Sequence, residues 1–353
     1  MRKEAPLSII FLLLAMSTHA RSPHRPSTAD TPEISIFWEH DQARKFHIRD
    51  CHLEEHPIFS IDHQSFDQYR LPPDTISYQQ DNQTKFLDTT LINTLIEDLL
   101  IEIRQNQKVF SHFKIIKKKN FSFKKLCGLL ILQFKDYPFV LKLFIETPRT
   151  FFDYYAKGLE SICCFYMAGG ANRHVNGLTR IKNRERLLQK AALFDQWRDT
   201  IEIPRKWFWA PKKQQWLILE GKNISGNAFR KTKIPGIYAI VADMVNTQQI
   251  SQLPHKKQSQ LVLQLSKDLD LFVDAHRDNF IFTNELVNRN PKIIILDTEH
   301  FPSMVGFKEP IEFNNYFEWF CQLIRKCFND CYLHSRSSRL AAQQQDHKLF
   351  LWK

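Results

Sequence analysis

The chain has 353 residues, 43% of them hydrophobic and 25% charged, which is ordinary for a globular protein and long enough to bury a sizeable core. Only 9 glycines against 29 phenylalanines exclude collagen-like, glycine-rich and wholly disordered classes, because the chain has abundant bulky apolar surface to bury. A formal net charge of +11 suits partners that carry phosphate or present an anionic surface.

The first elements in chain order are a leader and a polar segment. Arg2 and Lys3, the apolar run Leu7 to Met16 and the small residues of Thr18-His19-Ala20 predict a secretory signal over 1–20, or an N-terminal membrane anchor if it stays uncleaved. An exported location, periplasmic or secreted, follows. Residues 21–86 are polar and punctuated by Pro23, Pro26, Pro32, Pro57, Pro72 and Pro73, so they read as irregular, with one short strand near Ile34–Trp38. The 7 cysteines show no paired CxxC or CxxC/HxxxH spacing, so no structural zinc site is expected.

Helical spacing begins at Leu91, Leu95, Leu99 and Ile103, with Asp88 or Thr89 able to cap the start. Lysines 114, 117, 118, 119, 124 and 125 then crowd a short stretch that reads as a solvated strand edge, where lysine deters aggregation. Leu126–Phe134 and Phe139–Ile145, split by Lys135-Asp136-Tyr137-Pro138, predict a hairpin. Helices are expected at Phe151–Met167 and Asn183–Arg198, with a loop holding Gly169-Gly170 and Arg173-His174 between them. Lys206–Ala210 and Gln215–Glu220 predict a second hairpin, and beyond it the chain reads as helical, through Leu261, Leu265, Leu269 and Phe272 to a last helix from Ile311 to Leu333.

The densest chemistry lies in Asp274-Ala275-His276-Arg277-Asp278-Asn279, followed by an apolar run and then by the strand Ile293-Ile294-Ile295-Leu296 ending on Asp297. Acids at the ends of buried strands suit phosphate and metal binding, since the strand fixes the carboxylate and the loop exposes it. Asp274-x-His276-x-x-Asn279 with the later Asp297 resembles the catalytic loop and metal-binding segment of the protein-kinase-like superfamily, closest to the aminoglycoside phosphotransferase and choline kinase branch. The match runs over roughly 112–333. Val140-Leu141-Lys142-Leu143 resembles the strand of the phosphate-binding lysine, and Trp216 to Gly221 the strand that enters the interlobe hinge. The register is Asp274 rather than Asp278, because the asparagine five residues on is Asn279, whereas Asp278 would require one at Thr283.

That resemblance implies an α+β, two-lobed fold with an antiparallel-sheet N-lobe over 87–220, a helical C-lobe over 221–334 and a polar tail over 335–353. It implies Asp274 as the residue that receives the acceptor proton and His276 as support for the loop. Asn279 and Asp297 become ligands of Mg²⁺ on the phosphates of ATP, with Lys142 holding those phosphates and backbone near Glu220 holding adenine. The acid that pairs with Lys142 stays open between Glu160 and Glu185. No G-x-G-x-x-G precedes Lys142, and only Gly128 lies near. The implied activity is transfer of the ATP γ-phosphate to a hydroxyl acceptor; the alternatives are a pseudokinase or a basic interaction module. No helix-turn-helix or zinc-finger spacing points to nucleic acid, and the basic residues could meet a membrane surface.

Overall fold

The computed structural model describes residues 32–38, 44–49, 53, 57–59, 63–81, 83–151, 159–161, 169–213, 215–223, 226, 228–245, 257, 260–261, 264–265, 268–269, 279–283 and 292–298. The expected leader, the Asp274–His276 segment and the helix from Ile311 lie outside them. The described part is mixed α and β, built from antiparallel sheets with few helices.

A five-stranded sheet forms the centre. Its meander is β5 (Phe113–Ser122), β6 (Cys127–Phe134) and β7 (Phe139–Ile145), and it is completed by β13 (Ile237–Asp243) and β10 (Lys206–Trp209) in the order β10-β13-β7-β6-β5. The expected hairpin over 126–145 is present, with Leu132 level with Leu141. Strand β5 is the sheet's outer strand, and its Lys114, Lys117 and Lys118 are exposed, as a lysine-guarded edge requires.

Both faces of this sheet are covered, which explains why its strands read as continuous apolar runs. One face packs on α1 (Thr89–Arg104) and on the hairpin of β3 (Thr75–Gln80) and β4 (Gln83–Asp88). Ile92, Leu95, Ile96, Leu99, Leu100 and Ile103 form the buried stripe of α1, and the Asp88 carboxylate accepts from Thr90 N at 2.7 Å to cap it. The other face packs on a second five-stranded sheet, in which β1 (Pro32–Trp38), β2 (Arg44–Arg49), β8 (Leu159–Ser161), β11 (Trp216–Asn223) and β12 (Phe229–Pro235) run in the order β12-β11-β1-β2-β8. Tyr238 and Phe144, cross-strand partners, stack there at 4.7 Å between ring centroids.

Several expectations are corrected. Before residue 87 the expected strand near Ile34–Trp38 is present as β1, which runs beside β11 from Pro32↔Asn223 to Trp38↔Leu217, but the described residues there also contribute β2, β3 and β4, which an irregular segment would not. Proline at the head of β1 costs nothing in the ladder. Leu159–Ser161 is strand β8 rather than helix, with α2 (Pro148–Phe151) a single turn before it. Gly169-Gly170 and Arg173-His174 lie not in a loop but in the helix α3 (Gly169–Ala192), which is followed by the turn α4 (Asp195–Arg198). Lys206–Ala210 and Gln215–Glu220 both form strands, yet they do not pair: β10 joins the central sheet and β11 the second. The chain does not turn helical after Glu220 either, because β12 and β13 return through both sheets, so a lobe boundary at 220 would cut β11 in two.

A third, smaller sheet holds β14 (Phe280–Phe282) antiparallel to β15 (Ile293–Ile295), which runs parallel to β9 (Ile201–Glu202). Its core joins Leu187 and Ala191 of α3 to Trp197, Leu265 and Leu269. The Asp268 carboxylate accepts from Trp197 Nε1 at 3.0 Å and Gln196 Nε2 at 2.7 Å, fastening the 261–269 segment to α4.

Gly221 has a packing role. A Cβ there would lie 2.4 Å from Leu53 Cδ1 and 2.6 Å from Phe59 Cζ, both under β11. Gly221→Ala is therefore expected to destabilise the fold by about 1–3 kcal/mol, the usual cost of overpacking. A urea-unfolding midpoint equal to that of the unsubstituted protein would contradict this packing.

Candidate functional site

Strand alternation sets the site up. On β7, Phe139, Leu141 and Leu143 face α1, so Val140, Lys142 and Phe144 face the opposite way. On β10, Trp209 faces α1, which turns Phe208 and Lys206 to the same side as Lys142. Helix α3 crosses that side. It comes close at Gly177, where a Cβ would sit 3.6 Å from Ile240 Cδ1; Arg180 and Ile181 follow one turn later and Arg184 a turn beyond them.

The third sheet delivers the acid. Parallel β9 and β15 pair Ile201 with Ile293 and Glu202 with Ile294, and carrying that register onward brings Thr298 level with Lys206. Lys206 Nζ donates to Thr298 Oγ1 at 2.7 Å, and Thr298 Oγ1 donates in turn to the Arg180 carbonyl. Thr298 is fully buried and Lys206 only 8% exposed. Beside them Arg180 forks Asp297: Nε lies 2.6 Å from Oδ1 and Nη2 3.1 Å from Oδ2, with both side chains less than one-fifth exposed. Arg184 Nε donates to the carbonyls of Ile203 and Pro204, each at 3.2 Å, and so ties α3 to the link between β9 and β10.

The electrostatics are lopsided. Burial alone would raise the Asp297 carboxyl. The charges of Arg180 and Lys142, the Arg180 hydrogen bonds and the charge of Lys206 outweigh it and hold the group well below the usual carboxylate range. Lys206 is pushed down to about 7, mainly by burial; Asp297 opposes the shift, while Lys142, Arg180 and Arg184 add to it. Among the described residues, Asp297 thus feels three cationic side chains, Arg180, Lys142 and Lys206.

Asn279 reaches this place through the backbone. Its carbonyl accepts from Leu296 N at 2.8 Å, next to Asp297, because β14 and β15 pair Phe280 with Ile295. Lys142, Asn279 and Asp297 are therefore brought to one region. Glu185 lies exposed on α3, where its charge is felt by Tyr69 and Arg184. Glu160 sits on β8, level with Ile48 in the second sheet and not on a helix. Glu220 is in mid-β11, opposite Ser35, with its carboxylate 2.7 Å from Lys231 Nζ. Asp274 and His276 fall outside the described residues, among which no cluster of three or more His, Cys, Asp or Glu is placed to hold a metal.

Sequence reasoning missed Arg180, Arg184, Lys206 and Thr298. Two signals for them existed. Lys206 shares parity with Phe208 in an aromatic strand, which puts a lysine on a buried face. Arg180 and Arg184 stand one helical turn apart, and starting the helix at Asn183 left Arg180 outside it. No family model, no curated protein and no solved structure matches this chain.

The Lys206 environment has a pH signature. An unfolded lysine keeps its proton up to 10.5, whereas this one releases it near 7. Between those values the unfolded chain binds the extra proton, so raising the pH through that window favours the fold. Stability measured by urea unfolding is expected to rise from pH 7.5 to pH 9.5, and Lys206→Met to flatten that rise. Equal slopes in the two proteins would contradict the assignment.

Proposed function

We propose that this chain carries a kinase-like nucleotide-binding domain that moves the γ-phosphate of ATP to a hydroxyl acceptor. One relation supports the reading. Lys142 stands on the third strand of the β5-β6-β7 meander, and its charge acts on Asp297 at the end of β15, beside Asn279. Kinases put the phosphate-binding lysine on the third strand of such a sheet, follow it with a helix, and end a later strand on an aspartate. Helix α3 follows Lys142 only after the turn α2 and the strand β8, and β10 and β13 complete the sheet beyond β7. In this reading the second lobe begins where the chain leaves β13 at Asp243, not at Glu220.

In the transfer, the acceptor oxygen attacks the γ-phosphorus, the bond to the β-phosphate oxygen breaks and ADP departs. The acceptor proton passes to Asp274, with His276 bracing its loop, as the resemblance implies. Lys142, Arg180 and Lys206 neutralise charge on the phosphates, the chief catalytic need of this reaction. Mg²⁺ is the metal that the resemblance implies at Asn279 and Asp297. The donor set does not suit it, since Arg180 occupies both Asp297 oxygens and the charges of Lys142 and Lys206 act on Asp297 as well. No step of the transfer is assigned to the metal.

The second reading, a pseudokinase that binds nucleotide without turnover, draws on the same Arg180 fork. It also draws on the β5–β6 turn, where Lys124 and Lys125 stand in place of a glycine-rich loop. ADP release on the full chain separates the two. Asp274→Asn is expected to lower turnover by about 10²–10⁴ while ATP affinity changes little, as removal of a positioned base requires. Asp278→Asn should leave turnover nearly intact. ATP binding with no ADP release by the unsubstituted protein would decide for the pseudokinase.

A further inference from the structure

The outer strand of the central sheet carries more than edge protection needs. No acidic residue stands between Glu102 and Asp136, a stretch that runs from the end of α1 through β5 and β6. Lys114, Lys117 and Lys118 on β5, with Lys124 and Lys125 in the turn after it, are exposed. Among the described residues no acid forms an ion pair with any of them. The ladder slips between Ile115 and Lys117, so Lys114 stands opposite Gln133 and Lys117 opposite Ile131, on one face of the sheet. Lys118, opposite Leu130, falls on the other face, where its Nζ lies 5.0 Å from the centre of the Phe123 ring. Cations thus flank both faces of one edge. The residue that the slip adds, Ile116, is 54% exposed among them. Phe123 also packs on Phe121 at 5.0 Å and on Phe110 at 6.4 Å between ring centroids. The Phe110 contact brings in the loop after α1, where Val109 is 83% exposed beside exposed Lys108.

We infer that this edge and its turn form a docking surface for a membrane of anionic phospholipid. The lysines meet the headgroups, and Ile116 and Val109 enter the boundary between headgroups and acyl chains. The inference stands apart from the kinase-like reading and does not need it. Edge protection accounts for lysine along β5, but exposed isoleucine and valine on such an edge invite association rather than deter it. At an anionic bilayer the two features act together: each lysine near the surface adds to the attraction, and each aliphatic side chain adds buried apolar area. Because β5 is the outermost strand, its edge can present the cations of both faces to a broad, flat surface at once. Single-stranded nucleic acid fits less well, since its bases need open aromatic faces to stack on. Here Lys118 covers the Phe123 ring, and Phe121 and Phe123 stand edge to face against each other.

The test is co-sedimentation of the full chain with vesicles of phosphatidylcholine alone and of phosphatidylcholine with about 30% phosphatidylserine. The apolar run Leu7 to Met16 can enter either kind of vesicle, so the preference for the anionic one is the quantity read. That preference is expected to be strong and to fall steeply as salt is raised, as a screened attraction does. A variant with Lys118→Gln, Lys124→Gln and Lys125→Gln should bind the anionic vesicles about 10- to 100-fold more weakly, given about fivefold per lysine at such a surface. Ile116→Asn should weaken the same binding by about 3- to 10-fold with the charge unchanged. A variant with Lys212→Gln, Lys213→Gln and Lys233→Gln, which loses as much charge from exposed positions elsewhere, should bind like the unsubstituted protein. Equal binding to both kinds of vesicle would overturn the inference, as would equal losses in the two lysine variants. Binding of a uridine oligonucleotide that the first variant loses, with no preference for anionic vesicles, would give the surface to nucleic acid and overturn it too. Should Ile116→Asn fail to fold, the two lysine variants, altered only at exposed side chains, still decide.

Discussion

The Arg180–Asp297 fork is the contact on which the arrangement of the site depends. It joins Asp297 to α3, and through α3 to the face of the central sheet that carries Lys142 and Lys206. Without that carboxylate, Arg180, Lys142 and Lys206 would lose an acid that offsets their charges at this point, a costly change in a low-dielectric interior. Burial is the main cause that depresses the Lys206 ammonium; Asp297 opposes it, and the neighbouring cations add to it.

Two layers of geometry hold the fork in place. Period-two alternation in β7 and β10 turns Lys142 and Lys206 to a common side, and the same alternation sends their neighbours into the α1 core. The parallel step of β9 beside β15 brings Thr298 level with Lys206. Thr298 then links Lys206 to the backbone of α3 through one hydroxyl that both accepts and donates. A polar chain of this kind, satisfied at each link, fixes side-chain positions more tightly than apolar packing does.

Charge is distributed with purpose at two scales. Along β5, Lys114, Lys117 and Lys118 are exposed and serve as edge protection, each of small energetic consequence. At the site a smaller number are sheltered, so each weighs more in binding and in proton affinity. Both populations enter the same net charge of +11, and composition alone does not tell them apart.

Much was legible in the chain itself. The apolar spacing from Leu91 to Ile103 and the cap at Asp88 gave α1, and two apolar runs around Tyr137-Pro138 gave the β6–β7 hairpin, because both signals are local. The apolar run at Ile293 ending on Asp297 marked an acid at a strand end for the same reason. Tertiary structure alone decided which strands pair. Trp38 lies level with Leu217, and Ile201 with Ile293, over separations that no local pattern encodes. It likewise decided that Glu160 belongs to a strand, that Glu220 lies inside a sheet, and that Arg180 faces Asp297. The physical reason is common to all of these. Sequence periodicity states which face of an element is apolar, whereas the partner of that face is fixed only when distant segments close against one another.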